Sequence, residues 1–248
     1  MKISIITVCY NSVTTISDAL ESVANQTWPE VEHIVIDGSS SDGTQAIIDR
    51  YRLGLACIIS EPDAGIYDAM NKGLRLATGD WVGFLNSDDI LASPDILSLV
   101  ASVAKKNPQA DAIYGNLQYV AKENPQQRLR YWRSDAFVPS KLRWGWMPPH
   151  PTLFVRRSVM QELKGFNTAF RISGDYDFVL RLFKRPGRHY AHIPKVLVLM
   201  RAGGVSNGSL SAWLCKIFED YRALRHNQLG GVLALFCKRF RKLGQLFA

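Results

Sequence analysis

Over its first hundred residues the chain alternates short β-branched apolar runs with stretches of helical spacing, and this alternation restricts its fold more than any other feature. Residues 3–10 are apolar and too short for a helix, whereas residues 14–25 place Ile16, Ala19, Leu20 and Val23 three and four apart, the spacing of one helix face. The pattern repeats: an apolar run at 31–37, a turn set GSSSDG and a helix at 44–50, then a run at 56–60. Residues 65–77 follow, with Ile66, Ala69, Met70, Gly73, Leu74 and Ala77 on one face, and then a run at 81–85. Near-continuous apolar strands joined by helical crossovers imply an α/β fold with a parallel sheet covered on both faces. Ligands of such sheets bind beyond the carboxyl ends of the strands. Polar residues gather at those ends: Tyr10 and Asn11 after the first strand, Asp37 after the second, Glu61 and Asp63 after the third, Asp88 and Asp89 after the fourth.

Beyond residue 100 the pattern loosens. A helix is expected from Ser93-Pro94-Asp95 to about residue 106, with strands at 111–120 and 129–132 and an irregular Trp- and Pro-rich stretch at 134–150. A strand at 152–155, a helix at 175–183, a strand at 196–200 and two tail helices split by Gly230-Gly231 complete the reading. With 248 residues, 47% of them apolar, and a mean hydropathy of -0.06, the chain is an ordinary globular protein. Disordered and low-complexity classes are excluded. Cys9, Cys57, Cys215 and Cys237 form no CxxC pair and are expected to be buried free thiols of a reducing compartment. The first residues lack a cleavage site, so a cytoplasmic protein is expected.

The net charge of +8 conceals an asymmetry: residues 1–100 hold 5 Lys/Arg against 14 Asp/Glu, and residues 101–248 hold 25 against 8. An acidic half suits a metal or a hydrogen-bonded sugar, and a basic half suits phosphates, nucleic acid or an anionic membrane. Asp88 and Asp89, with Asn86 and Ser87 beside them, offer hard oxygen ligands for Mg2+ or Mn2+ carrying a diphosphate. An Asp pair also caps helices, but capping does not require Asp37 and Asp63 at the ends of neighbouring strands. Four converging carboxylates repel one another unless a cation or a donor-rich ligand lies among them. Asp89 is expected in a solvent-facing loop. No GxGxxG, GxxxxGK[ST] or DxDxT follows the first strand, which removes the main support for dinucleotide, P-loop and phosphatase chemistry. The GxSxG at residues 204–208 is followed by too little chain for a hydrolase triad.

The ordered series SIITVCYN, HIVIDGSSSDGT, SEPDAGIYDAMNKGLRLATGDWVGFLNSDD, HPTLFVRR, GDYDFVLRLF and GGVSNGS resembles the family 2 inverting glycosyltransferases of GT-A fold, over residues 3 to about 210. The resemblance implies a Rossmann-like, mostly parallel sheet flanked by helices, as a domain at 1–210 followed by a basic amphipathic helical tail at 211–248. It implies nucleotide contacts at Asp37 and Asp63, a ribose, metal and diphosphate element at Asp88 and Asp89, and an acceptor base at Asp175. Thr7, Tyr10, Asn11 and Lys72 are assigned with them to the nucleotide-sugar site. Two positions depart from the family pattern: Asn86 stands first in the Asp-x-Asp element, and Gly174 replaces Glu in the Glu-Asp motif, with Asp177 competing with Asp175. The processive QxxRW motif is absent, leaving only Arg143-Trp144, so a single addition is expected.

The chemistry stands beside the name. Displacing a nucleoside diphosphate from an anomeric carbon needs neutralisation of the leaving group, for which a metal at Asp88 and Asp89 serves, and a base for the attacking hydroxyl, for which Asp175 serves. The segment from Trp144 through Trp146 to His150 has the composition of a sugar-stacking loop, and Arg201 with the Gly203-Gly204 turn offers donors to a diphosphate. Residues 211–248 carry 7 Lys/Arg against 2 Asp/Glu among Trp213, Phe218, Phe236, Phe240 and Phe247. Such a tail lies on an anionic membrane through Lys238, Arg239, Arg241 and Lys242, or packs on the core, or forms a homodimer. The expected partners are a nucleotide sugar, UDP-linked by preference, and a lipid-linked glycan of O-antigen or exopolysaccharide type at the inner face of the cytoplasmic membrane. Nucleic acid is not an expected partner. A sugar-nucleotide pyrophosphorylase would need a Gly-rich basic loop where TVCYNSVTT stands, and a basic nucleic-acid-binding module would leave the carboxylates unexplained.

Overall fold

The computed structural model describes residues 1–203 and 210–243. β1 (Ile3–Cys9) is buried along its whole length because it lies between two parallel neighbours, β2 (Val31–Asp37) and β4 (Trp81–Asn86). β3 (Cys57–Ser60) extends the parallel set beyond β2. The crossovers α1 (Ile16–Ala24), α2 (Thr44–Arg50) and α3 (Ile66–Leu76) cover its faces. Each apolar side chain that they seal is worth roughly 1.5–3 kcal/mol.

After β4 the chain enters β5 (Asp89–Leu91), α4 (Ile96–Lys106), β6 (Ala112–Val120) and β7 (Arg128–Trp132). β8 (Phe154–Arg156), α5 (Arg157–Glu162), α6 (Gly174–Phe183) and β9 (Tyr190–Arg201) complete the sheet half, and α7 (Leu210–His226) and α8 (Val232–Leu243) form the tail. The sheet order is β3-β2-β1-β4-β8-β6-β9-β5, with β7 paired to β6. β8, β5 and β7 run against the common direction, so the sheet is mostly parallel as expected.

Several local expectations are corrected. β5 and α5 are too short to leave a periodic signal, and β9 begins at Tyr190 because a register shift carries pairing past Pro194. On α3 it is Tyr67 that turns inward while Ile66 is exposed. All four cysteines are free, but only Cys9 is buried; Cys57, Cys215 and Cys237 are half-buried. The tail helices fold back on the body, where Ala223, Leu224 and Ala234 join the core around Tyr176 and Phe178. Their outer side exposes Trp213, Leu214, Phe218, Phe236 and Phe240. Among the described residues no helix is long and apolar enough to cross a membrane. Gly204 and the GxSxG run, the side chains of Arg241 and Lys242, and Phe247 lie outside the described residues.

Candidate active site

The ends of β1, β2 and β3 bring Tyr10, Asp37 and Asp63 together, as the strand order requires. Tyr10 is exposed at the mouth, and a Cβ placed on Gly38 would lie 2.5 Å from Asp63 Oδ2 and 3.3 Å from the Tyr10 ring, so the three groups share one edge. Asn11 adopts a left-handed conformation (φ 47°) and its Oδ1 accepts the Ser41 N–H at 3.0 Å, tying the β1 loop to the β2 loop. Asp37 is buried, which raises its pKa. Bonds from Ser40, from Ser60 Oγ at 2.7 Å and from Gln45 Nε2 at 3.1 Å outweigh that effect and hold it below the ordinary value. Lys72 donates to Glu61 at 2.8 Å and to the Pro62 carbonyl at 2.8 Å, closing the loop that carries Asp63. Thr7 is corrected: its hydroxyl is buried within the sheet, 2.9 Å from Nε2 of His33, whose pKa burial pushes down to about 3.

The acidic pair after β4 also differs from expectation. Asp89 is not in a solvent-facing loop; it opens β5, pairs with Met200 of β9 and has no exposed surface. Burial raises the pKa of both Asp88 and Asp89, and the neighbouring Asp88 charge raises Asp89 further. Asn86 Nδ2 donates to Asp89 Oδ2 at 3.0 Å, yet Asn86 Oδ1 and Asp89 Oδ1 are buried without any hydrogen-bond partner. Two orphaned oxygens beside a half-buried carboxylate are the donor chemistry that a hard divalent cation satisfies, and Asn86 offers one of them where the family pattern has a carboxylate. Among the described residues no three His, Cys, Asp or Glu converge to hold an ion unaided. A cation here would draw its remaining ligands from a diphosphate, the usual situation for Mg2+ and Mn2+.

On the acceptor side, Asp175 stands in the first turn of α6 with a fifth of its side chain exposed. Its Oδ2 lies 3.0 Å from His150 Nδ1 and its Oδ1 accepts the Tyr67 hydroxyl at 3.2 Å. Burial raises its pKa, but the attraction of His150, then of Lys238 and Lys216, prevails and keeps it lowered. Asp177 faces the other way, fully buried, accepting from Arg181 Nε at 2.7 Å and Asn227 Nδ2 at 2.9 Å. The tie between the two carboxylates is thus broken by packing. Gly174, in place of the motif's Glu, is required by Tyr67, whose ring carbons would lie 2.7 Å from a Cβ there. Burial raises the pKa of the Tyr119 phenol, the charge of Arg130 opposes this, and the charges of Asp89 and Asp175 add to the rise.

Two acceptor-side expectations are corrected. Trp146 is buried among Tyr114, Phe137 and Phe183 and donates Nε1–H to Asp135 at 2.6 Å, so it packs the core; Trp144 is the exposed ring of that stretch. Arg201 is buried too, with its donors taken by the Lys122 and Asp88 carbonyls at 3.1 Å and by the Asp18 carboxylate, so it braces the acidic loop instead of meeting a diphosphate. Tyr67 escaped the sequence reading, and the tail's Lys238, expected among the lipid-facing cations, is instead buried against Asp220. Tyr67 sits within the quoted SEPDAGIYDAM stretch, but its partner is 108 positions away, and no local pattern signals that.

Comparisons with known proteins give the family and the fold. Residues 4–184 match the family described as Glycosyl transferase family 2. A PGL/p-HBAD biosynthesis glycosyltransferase of Mycobacterium bovis is 32% identical over 209 residues, covering 82% of this chain and 78% of its relative. In structure, Staphylococcus aureus TarS 1-349 in complex with UDP-GlcNAc superposes with a TM-score of 0.71 at 20% identity, over 92% of this chain and 65% of that one. The Pyrobaculum calidifontis mannosyltransferase PcManGT in complex with GDP-Man and Mn2+ gives 0.68 at 19% identity, over 98% and 70%. These likenesses bear out the GT-A fold. Because the matched span runs from β1 through the helix that carries Asp175, the chain is a glycosyltransferase and belongs to family 2.

Proposed function

We propose that the chain transfers one sugar from a nucleotide sugar, UDP-linked by preference, to a lipid-linked glycan acceptor, with inversion at the anomeric carbon. The observation that carries this reading is the charged Asp175 carboxylate at the crevice, held on both oxygens by Tyr67 and His150. Tyr10, Asn11, Asp37 and Asp63 line the nucleotide end, with Lys72 holding the Asp63 loop. Asn86, Asp88 and Asp89 would hold the divalent cation, Mn2+ or Mg2+, which when bound supplies neutralisation of the departing diphosphate.

The acceptor hydroxyl oxygen forms its bond to the anomeric carbon as the bond from that carbon to the diphosphate oxygen breaks, the electron pair leaving with the nucleoside diphosphate. The hydroxyl proton passes to Asp175, whose lowered pKa keeps it ionised at neutral pH. A single base opposite the leaving group gives inversion, with general-base assistance worth about 10²- to 10⁴-fold. His150 and Tyr67 orient the carboxylate, so His150 serves the acceptor side through Asp175.

The exposed aromatic side of α7 and α8, next to Arg239, supports docking on an anionic membrane at the cytoplasmic face, where lipid-linked acceptors are reached. The naming of a relative for PGL/p-HBAD biosynthesis and the UDP-GlcNAc and GDP-Man complexes of the structural neighbours support the donor and acceptor classes. The test is incubation of the full chain and Mn2+ with UDP-glucose, UDP-GlcNAc and GDP-mannose in the presence of a bacterial lipid extract, with NMR of the product's anomeric proton. A product of configuration opposite to the donor is expected. Retained configuration, or hydrolysis of the donor without transfer, would overturn the reading.

A further inference from the structure

Three ionisable side chains of the tail, Glu219, Asp220 and Lys238, are almost completely buried. Burying charge is expensive, and an apolar seam would dock two helices at lower cost. Their partners explain their presence. Glu219 accepts three consecutive backbone N–H groups, Arg171 at 2.8 Å, Ile172 at 2.7 Å and Ser173 at 2.9 Å. Asp220 Oδ1 accepts the Ser173 hydroxyl at 2.8 Å and the Lys238 ammonium at 2.8 Å. Lys238 Nζ also lies 3.2 Å from the centre of the Tyr176 ring. Residues 171, 172, 173 and 176 are therefore each held by the tail, and Asp175 stands between them. α8 reaches the other partner of the base as well, since Gly145, at the start of the segment leading to His150, packs directly against Ala234 and Lys238.

We propose that Glu219, Asp220 and Lys238 are positioning residues for sugar transfer: through α7 and α8 they fix the loop and first turn that aim Asp175 at the acceptor. This rests on the assignment of Asp175 as the base. Charge-assisted hydrogen bonds suit the task because they are directional, whereas apolar packing lets a helix end slide. A displacement of the order of 1 Å at a reacting group costs up to about 10²-fold in rate.

The test compares Glu219→Gln and the neutral pair Asp220→Asn/Lys238→Met with wild type in the full chain. Replacing a buried ion pair by neutral groups is often neutral for stability, so a merely structural role would leave turnover intact in the double variant. Turnover is read on the pH-independent plateau above the acid limb, where losing the attraction of Lys238 leaves Asp175 ionised, with the wild type's active donor among UDP-glucose, UDP-GlcNAc and GDP-mannose, and binding is read with UDP and Mn2+. The expected result is a fall in kcat of about 10- to 10²-fold with donor KM and UDP affinity near wild type. An unchanged kcat, or a loss of kcat that merely follows a loss of UDP binding, would overturn the proposal. Should either variant fail to fold, Ser173→Ala, which deletes a single hydroxyl, is expected to lower kcat severalfold, and full turnover in it would be equally fatal. Asp175→Asn runs in parallel: normal turnover there defeats the base assignment itself, whereas normal turnover in the tail variants alone defeats only this proposal.

Discussion

His150 Nδ1 and Asp175 Oδ2 lie 3.0 Å apart, joining the Pro-flanked turn before β8 to the first turn of α6. Through this contact His150 opposes the effect of burial on Asp175 and helps to keep the carboxylate charged.

A pH consequence follows from that pair. The Asp175 pKa is lowered in the folded protein, so the base is ready above that value, and the stability it contributes is lost only as pH falls through it. Replacing His150 by Gln removes the largest attraction and lets burial raise the pKa, so the acid limb of kcat/KM should move to higher pH. A limb that stays in place in the variant would show that His150 does not act on the base.

Asp175 and Asp177 should separate cleanly. Asp175→Asn is expected to fold and bind UDP with Mn2+ while losing transfer by at least ~10²-fold. Asp177→Ala leaves Arg181 and Asn227 without their buried partner and should cost about 3–5 kcal/mol of stability, read by urea unfolding. The reverse pattern would mean that the carboxylates have been exchanged.

Asp89→Ala should abolish the Mn2+ dependence of UDP binding, because it removes one of the two orphaned oxygens together with its charge. Calorimetry with and without Mn2+ measures this directly, and equal metal enhancement in the variant would rule out Asp89 as a ligand.

Gly174→Ala should cost about 1–3 kcal/mol by overpacking, since its Cβ meets the Tyr67 ring at 2.7 Å. Trimming the ring in Gly174→Ala/Tyr67→Ala should make the two changes non-additive, because they share one contact. Strictly additive melting data would refute the explanation offered for the missing Glu.

Lys238 is buried against Asp220 and so does not belong to the lipid-facing cations, which shifts the membrane test to the exposed rings. Phe236 and Phe240 stack on each other at the surface of α8. Changing both to Ala should weaken co-sedimentation with anionic vesicles by ~10²-fold or more, from about 1.5 kcal/mol or more per inserted ring. Equal pelleting of variant and wild type would leave the tail with its packing role alone.

The β-α alternation and the gathering of Tyr10, Asp37, Asp63, Asp88 and Asp89 at strand ends were legible in the chain itself. A parallel strand buried on both faces reads as a near-continuous apolar run, so the polar cluster that follows it marks the crevice end. The separation of Asp175 from Asp177 was half legible, because neighbours two apart on a helix cannot face the same way, but which one turns inward depended on Arg181 and on Asn227 fifty residues away. The same holds for Trp146, Arg201 and Thr7, whose residue types suit a ligand site but whose side chains are consumed by core partners. Composition cannot distinguish a ring that stacks on sugar from one that fills a core, because both are aromatic and differ only in what folds over them. The tertiary structure alone placed Tyr67 and His150 on Asp175 and carried Glu219 to the backbone before it, since these contacts form only when segments distant in the chain are packed together.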